Sequence, residues 1–447
     1  MKRHMYKLTH QNIVPGRIGQ IIPTLRIEVA PGDSFQGRIG ILCRFKGFAA
    51  PVLTPTYLDF YMFYVPNRLA WSPDDAATGN WEDFITGTTI NATQVTGPVG
   101  NPDEHVTAST TPPRYTHTDS FLSNLQNTNQ PTFENALYSR GYNLIYNNFF
   151  RDEEDDPVVI SNTSWQNAYQ LRNLYNELRT DTATFQTYAE TETIPGTTDT
   201  GVGSQSMRDA LRRQRFAERR EMFGDRYVDL LRSYGVRTGY NMLEKPESLG
   251  KSRHVVSFTD IPATSQSATG LTVGDLAGHG IVGLHHRMPR KTFNEHGYLH
   301  GVIVVRPSQF INTVSPPDSL KSSVGEYWAP EWESQTAQPV ISTLASSAAG
   351  LNLNSEAGYV PKFQDYRKTN NFIQEKYKGQ STWGNEWTFE QNINVSPAAS
   401  IRDKLRKVVP EDYDNAFNST DANEPHFRAL IHNGITAYRM CGPQSKI

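Results

Sequence analysis

Residues 24–45, TLRIEVAPGDSFQGRIGILCRF, indicate the fold class of this chain. Leu25, Ile27 and Val29 alternate with polar residues up to the turn PGDS, and apolar residues alternate again from Ile39 to Phe45. A period of two places successive side chains on opposite faces of a strand. The stretch therefore predicts two half-buried strands separated by a turn.

Other segments further along the chain also have apolar patterns typical of strands. TYLDFYMFYV (56–65) is apolar at nearly every position except Asp59, which predicts a strand covered on both faces. HVVSFTDI (254–261) and HGYLHGVIVVRP (296–307) are also typical of strands. Because a long region of different character separates the early strands from the later ones, we expect an antiparallel sandwich interrupted by insertions.

The composition indicates many turns and short strands. The chain has 447 residues, of which 32 are Gly, 27 are Pro and only 20% are charged, and its mean hydropathy is -0.56. Cys43 and Cys441 lie too far apart in sequence to suggest a disulfide framework or a metal-ligand pair. No apolar run is long enough to span a bilayer, so we expect a protein that is made and used in a cytoplasm.

Positive charge is concentrated at the N-terminus although the net charge of the chain is -3. Lys2, Arg3, Lys7 and Arg17 precede the first acidic residue, Glu28. This asymmetry predicts a basic arm over residues 1–18 that contacts phosphates, and the alternative is a solvated tail.

Two helices are predicted in the interrupting region, at 164–178 and 207–223. The second helix carries a stripe of four arginines on one face, at Arg208, Arg212, Arg215 and Arg219. The stripe is a second candidate for phosphate binding. An ordinary solvated face and ion pairs between subunits are the alternatives, because acidic residues lie beside the arginines.

The sequence contains no recognisable catalytic arrangement. The densest histidine segment, 279–300, has neither the HExxH order nor a Cys/His spacing typical of metal sites. The acidic run RDEEDDP (151–157) lacks the spacing and the glycine of a calcium-binding loop. We therefore expect no enzyme activity, no catalytic residue, no metal site and no cofactor.

Seven segments, in order along the chain, resemble the major capsid proteins of the Microviridae, the small icosahedral single-stranded-DNA bacteriophages. These segments are IIPTLRIEVAPGDSF, FYVPNRLAW with NWEDFITG, YNLIYNNFFRDE, RDALRRQRFAERREMFGDRYVDLLRSYGV, KPESLGKSR, EHGYLHGVIVVRP and GYVPKFQDYRKTNN. None of them is a catalytic fingerprint, but together they cover most of the chain.

The resemblance implies an eight-stranded antiparallel jelly-roll β-sandwich with long inserted loops and a few helices. It also implies a subunit that forms pentamers and a T=1 shell of sixty copies around circular single-stranded DNA. The expected location is the virion, assembled in the host bacterial cytoplasm without a membrane. Spike proteins and small basic DNA-binding phage proteins are the other expected partners. The chain has no segment as large as the surface insertion of the gokushovirus branch, so we expect a smooth shell at the three-fold axes.

On this interpretation, residues 1–18 are the basic arm and residues 19–447 form a single jelly-roll domain. The core strands are expected mainly in 19–70 and 250–310, with large insertions at 71–250 and 311–447. Aromatic residues in the loops are predicted to anchor subunit interfaces, and the alternative is that they seal loops of their own subunit. These residues are Trp71, Trp81, Phe84, Trp328 and Trp332.

Two other functional classes fit parts of the sequence. A jelly-roll carbohydrate-binding protein would share the sandwich and the aromatic loops, and would be a monomer or small oligomer. A metal-dependent enzyme built on the histidines of 279–300 would contain bound metal in stoichiometric amount.

Overall fold

The structure is a computed structural model in which the described residues form antiparallel sheets and a few short helices. The described residues are 3–71, 81, 137–151, 245–262, 276–308, 310, 321, 323–330, 337–341, 356–367, 371, 387–389, 407–417 and 424–442. The strands are β1 (His4–Lys7), β2 (His10–Gly16), β3 (Ile21–Val29), β4 (Ser34–Phe45), β5 (Thr56–Pro66), β6 (Glu247–Val255), β7 (Ser257–Pro262), β8 (Leu276–Thr292), β9 (Gly297–Pro307), β10 (Ala337–Ile341), β11 (Glu356–Pro361) and β12 (Phe427–Arg439). The helices are α1 (Asn67–Ala70), α2 (Leu137–Ile145) and α3 (Gln364–Arg367), with a π-helical turn at Tyr146–Phe150 and 3₁₀ turns at Val324–Glu326 and Pro410–Ala416.

Two antiparallel sheets form the body of the molecule. In the first sheet, β12 pairs with both β1 and β2 on one side and with β4 on the other, and β8 and β7 follow. The second sheet has the order β3-β9-β5-β6. A separate two-stranded sheet joins β10 to β11. The expectation of an antiparallel sandwich is therefore confirmed.

The core lies between the inner faces of the two large sheets. On β4 the alternation that the sequence shows is retained, because Ile39, Ile41 and Cys43 are buried while the residues between them are more exposed. The rings of Phe60 on β5 and His286 on β8 lie 5.1 Å apart, which joins the two sheets. Burial of this continuous apolar face stabilises the sandwich.

The turn between β3 and β4 is a corner between the sheets. β3 pairs with β9 in the second sheet, whereas β4 pairs with β12 and β8 in the first. Gly32 adopts φ +84° in this turn, a conformation that side chains rarely adopt, and the Asp33 carboxylate accepts a hydrogen bond from the Ala30 backbone N–H. The quoted stretch therefore starts in one sheet and ends in the other.

The structure differs from the sequence-based domain boundaries at both ends of the chain. Residues 4–16 form β1 and β2 of the first sheet, so the boundary after residue 18 does not separate a tail from the sandwich. β12 lies inside the region expected to be an insertion, yet it occupies the interior of the first sheet. Both predicted helices, 164–178 and 207–223, lie outside the described residues.

The second sheet is covered on its outer face by a segment of the same chain. Tyr138 and Tyr142 of α2 donate hydrogen bonds to the backbone carbonyls of Leu25 and Ile21, at 2.8 and 2.6 Å. The ring of Phe149 in the π-helical turn lies 4.7 Å from that of Phe63 on β5. This cover explains why β5 is buried along almost its whole length, as the sequence predicts.

Candidate assembly and nucleic-acid surfaces

The basic N-terminal residues divide into exposed and buried ones. Arg3 is exposed and donates a hydrogen bond to the Ser34 hydroxyl of β4 at 3.2 Å. Lys7 is exposed at the end of β1, opposite Thr436 of β12. Lys2 lies outside the described residues. Arg3 and Lys7 are therefore held at the edge of the first sheet.

Arg17 belongs to a buried polar cluster, which corrects its interpretation as an accessible phosphate ligand. Its side chain is 2% exposed, and its guanidinium donates hydrogen bonds to both carboxylate oxygens of Asp414, at 2.6 and 2.8 Å. His426 Nδ1 accepts a hydrogen bond from the Ile18 backbone N–H at 3.2 Å, which leaves Nε2 to donate to Asp414 at 2.6 Å. These hydrogen bonds connect the residues that follow β2 to the 3₁₀ turn Pro410–Ala416 and to His426, which precedes β12.

The electrostatics of this cluster follow from burial and pairing. Burial by itself would raise the pKa of Asp414, but hydrogen bonds from His426 and Arg17 outweigh it and hold the pKa below its usual range. Burial lowers the pKa of His426. The imidazole is therefore neutral near pH 7, and Arg17 supplies the charge that balances Asp414.

Trp71 and Trp81 lie against the core of their own subunit. Trp71 is 4% exposed, and its ring meets that of Trp81 edge to face with centroids 5.6 Å apart. Trp81 is partly buried and its ring also approaches His296, at 6.0 Å. Among the described residues, both rings therefore pack against the core of their own subunit.

Trp328 has the exposure that an interface anchor requires. It is 48% exposed, and its ring stacks in parallel with that of Tyr366, with centroids 6.1 Å apart. Tyr327 beside it is 58% exposed. Phe84 and Trp332 lie outside the described residues, and so does the arginine stripe at Arg208, Arg212, Arg215 and Arg219.

The histidines of 279–300 point in different directions. His285 is exposed on the first sheet, whereas His286 faces the core and its Nδ1 lies 2.8 Å from the Ser252 hydroxyl. His300 faces away from that core, is buried beneath α2 and stacks on Tyr138 at 4.2 Å. In the parts of the chain that the structure describes, no group of three His, Cys, Asp or Glu residues is arranged to hold a metal ion.

A buried carboxylate lies on the covered face of the second sheet. Asp59 accepts hydrogen bonds from Arg253 at 2.6 and 2.8 Å and from Arg306 at 2.6 Å. Burial would raise the pKa of Asp59, but the two guanidinium groups hold it below its usual range. The one charged residue in the apolar stretch 56–65 is thus neutralised within its own subunit.

The family relationship follows from comparison with known proteins. The family model described as "Capsid protein (F protein)" matches residues 1–184 and 194–442, which is nearly the entire chain. The chain belongs to the capsid protein F family. The resemblance to Microviridae capsid proteins is therefore confirmed.

The individual relatives, which are named capsid protein F or capsid protein VP1, have low sequence identity to this chain. Capsid protein F of Escherichia phage G4 is 24% identical over 314 residues, covering 67% of this chain and 65% of that protein. Capsid protein VP1 of Chlamydia phage 1 is 28% identical over 170 residues, covering 34% of this chain and 24% of that protein. Capsid protein VP1 of Bdellovibrio phage phiMH2K is 30% identical over 139 residues, covering 31% and 24%. This chain thus spans between about a quarter and just under two thirds of the length of each of these relatives.

Membership of the capsid protein F family implies a structural role. The first sheet also exposes four arginines that are not among the residues predicted above. Arg38 and Arg44 of β4, Arg287 of β8 and Arg428 of β12 are all exposed on one face of the first sheet. The alternation in residues 24–45 already placed Arg38 and Arg44 opposite the buried face of their strand. Their proximity to Arg287 and Arg428 depends on strand pairing, which the alternation does not specify.

No helix among the described residues has the length and apolarity to cross a bilayer.

Proposed function

We propose that this chain is the major capsid subunit that assembles, through pentamers, into a T=1 shell of sixty copies around circular single-stranded DNA. The observation that carries the proposal is the match to the capsid protein F family, which covers residues 1–184 and 194–442. The antiparallel sandwich that forms the body of the chain is consistent with it. A closed shell of identical subunits requires repeated interfaces made by the same surfaces of each copy.

The strand order supports an eight-stranded jelly roll as the shell-forming unit. One sheet contains β2, β12, β4 and β8 in that order, and the other contains β3, β9, β5 and β6. Successive strands from β2 to β5 alternate between the two sheets, as they do in a double-sheet jelly roll. In this arrangement β1 and β7 are additions at the edges of the first sheet.

The aromatic surface around Trp328 is the proposed subunit contact. Trp328, Tyr327 and Tyr366 together expose large rings outside the sandwich. Aromatic side chains of this size dominate the binding energy of protein interfaces when a partner buries them. Phe84 and Trp332 remain proposed anchors of the same kind.

The genome is the second proposed partner. Lys2, Arg3 and Lys7 are proposed to neutralise phosphates, and the arginine stripe at 208–219 remains a second candidate. We also propose a spike protein and a small basic DNA-binding protein as partners, a virion location and assembly in the host bacterial cytoplasm. DNA binding through phosphate contacts depends on charge and not on base sequence.

Sedimentation velocity and negative-stain microscopy of the expressed full chain test the shell function. We expect pentamers or closed particles of uniform size. A folded chain that remains monomeric or forms only small oligomers at every concentration would overturn the proposal and would favour a carbohydrate-binding protein.

Two tryptophan variants separate the subunit contact from the fold. Trp328→Ala is expected to leave the circular dichroism spectrum unchanged but to weaken subunit association by about 2 kcal/mol, as loss of an interface hot spot does. The matched variant Trp71→Ala removes a buried ring of the same type and is expected to lower the stability of the unassembled subunit. Normal particle yield from Trp328→Ala would exclude this residue as an anchor.

A further inference from the structure

The outer face of the first sheet is positively charged and carries almost no negative charge. Five of its six strands, β1, β2, β4, β8 and β12, contain eight Lys or Arg residues and no Asp or Glu. Two of the eight, Lys291 and Arg439, pair with Glu247 and Asp33 and add no unpaired charge to the outer face. The whole chain has a net charge of -3, so this charge is concentrated on one part of the molecule. We call the exposed side of these five strands the basic face.

Strand register places four arginines of the basic face in two facing pairs. Arg44 of β4 is the direct partner of Arg428 on β12, and Arg38 of β4 is the direct partner of Arg287 on β8. Directly opposed residues have Cβ atoms about 5 Å apart, and like charges at this distance destabilise the sheet. The two pairs are separated by six residues along β4, which is roughly 20 Å at the rise of an extended strand.

These arginines lack partners of their own in the described part of the chain. None of the four makes a hydrogen bond or an ion pair there. Glu424 lines the same depression as Arg44 and Arg428, and its carboxylate is bound by Lys46 at 2.5 Å. Two arginines elsewhere in the molecule differ in this respect, since the buried Arg17 and the partly buried Arg306 are each bound to a carboxylate. An anion from outside the subunit would relieve the repulsion within each pair.

Apolar groups lie between and beside the charged pairs. Ile13, Leu430 and Leu42 are adjacent in one row across three strands, and Ile13 is 76% exposed. The row borders a depression of about 490 Å³ that is also lined by Arg44 and Arg428. Gly283 is the next member of the row, and a Cβ atom added at that position would meet no atom within 4 Å, so the space beside this end of the row is open.

We propose that the basic face binds the backbone of single-stranded DNA, which makes it the side of the subunit that faces the interior of the shell. Each arginine pair would bind a phosphate through its planar guanidinium groups, which match phosphate oxygens in pairs. The aliphatic row would contact bases without selecting a sequence. Lys7 lies opposite Thr436 at the edge of the basic face, so it extends the positive charge of that face to β1. The proposal rests on the capsid function proposed above.

The test is the salt dependence of DNA binding by the full chain. The probe is a fluorescein-labelled oligodeoxythymidylate of about 30 nucleotides, followed by fluorescence anisotropy between about 50 and 300 mM NaCl. Arg44→Gln/Arg428→Gln is expected to reduce the slope of log K against log salt by about 0.7, since the pair binds one phosphate and each lost phosphate contact removes about that amount. Arg44→Lys/Arg428→Lys keeps the charge and is expected to keep the slope.

A matched control removes the same charge from the other sheet. Arg26 and Lys251 are exposed on the outer side of β3 and β6, and Arg26→Gln/Lys251→Gln is expected to leave the slope unchanged. Arg38→Gln/Arg287→Gln tests the second pair independently if the first variant does not fold, as circular dichroism will show. An unchanged slope in both folded basic-face variants, or an equal loss in the control, would overturn the proposal.

Sedimentation velocity and negative-stain microscopy of the same proteins distinguish a failure of DNA binding from a failure of shell assembly. If closed shells form and the slope is unchanged, the basic face does not bind DNA while the capsid function stands. If the basic-face variants lose assembly but keep the slope, the face contacts an acidic surface of another copy and the proposal is wrong. If the unmodified chain forms no shells, the capsid function fails whatever the slope shows.

Discussion

The outer faces of the two sheets differ although both sheets bury their inner faces in the same core. On the second sheet, outward residues such as Phe63 and His300 are buried under α2 and the π-helical turn. On the first sheet, the outward residues Arg38, Leu42 and Arg44 are exposed in the subunit. Because the sandwich is stabilised by its shared core, the first sheet does not need a cover in order to fold. Its outer face is therefore available to a partner.

The charge distribution follows the same division. The four strands of the second sheet carry four Lys or Arg residues and three acidic ones, and Asp59 is bound by two of the arginines. The basic face has no acidic residue in its five strands. A buried charge such as Asp59 must be neutralised within the subunit, whereas an exposed charge such as Arg44 can be left to solvent or to a ligand.

The largest expected effect comes from removing the cover of the second sheet. Tyr138 stacks on His300 and its hydroxyl donates to the Leu25 carbonyl at 2.8 Å. We expect Tyr138→Ala to lower the free energy of unfolding by about 3 to 5 kcal/mol, the range for truncating a buried aromatic residue. Urea denaturation of the unassembled subunit, followed by circular dichroism, measures it. A loss below about 1 kcal/mol would show that α2 contributes little to the second sheet.

Arg17 tests whether the N-terminal segment acts as structure or as a DNA contact. Arg17→Met leaves the part-buried Asp414 carboxylate without its guanidinium, and we expect a destabilisation of about 3 kcal/mol. The salt slope of DNA binding should not change. The double variant Arg17→Met/Asp414→Leu should recover much of the loss because it leaves no unpaired charge. A reduced slope with normal stability would restore Arg17 as a phosphate ligand.

The covered face also predicts a loss of stability in acid. Burial, followed by the nearby charge of Arg26, lowers the pKa of His300 to about 3. The unfolded chain binds a proton at this histidine below its ordinary value of about 6.5, so the folded state is favoured above that pH and loses stability as the pH falls towards 3.

The expected slope for this one histidine is about 1 kcal/mol per pH unit between pH 6 and 4. His300→Met should reduce the slope by that amount. Burial also lowers the pKa of His286 and His426, so these two residues are expected to retain part of the dependence in the variant. Equal pH profiles for the two proteins would contradict the assignment to His300.

The smallest expected effect is on the exposed row of the basic face. Ile13 is 76% exposed, so Ile13→Ser should change the free energy of unfolding by no more than about 0.5 kcal/mol. The same denaturation measurement applies. A loss comparable to that of Tyr138→Ala would show that the subunit itself covers the basic face, and the contrast between the two sheets would disappear.

The sequence alone predicted much of the fold and a smaller part of the candidate surfaces. The strands at 24–45, 56–65 and 296–307 were predicted because alternating or continuous apolar residues are local signals. β1, β2 and β12 were missed, although β12 occupies the interior of the first sheet. The predicted strand 254–261 is divided at Val256 because the residues before it pair with β5 in the second sheet and those after it pair with β8 in the first, a change of sheet that no local pattern reveals.

The alternation within residues 24–45 determined by itself which side chains of β3 and β4 face the core and which face outward. The tertiary structure decided that these neighbouring strands belong to different sheets, and that Arg44 lies opposite Arg428 while Arg17 reaches Asp414. Periodicity is a property of residues two positions apart, whereas the Arg17 pair joins residues separated by 397 positions. A local pattern can therefore orient a side chain, but only long-range pairing gives it a partner or leaves it without one.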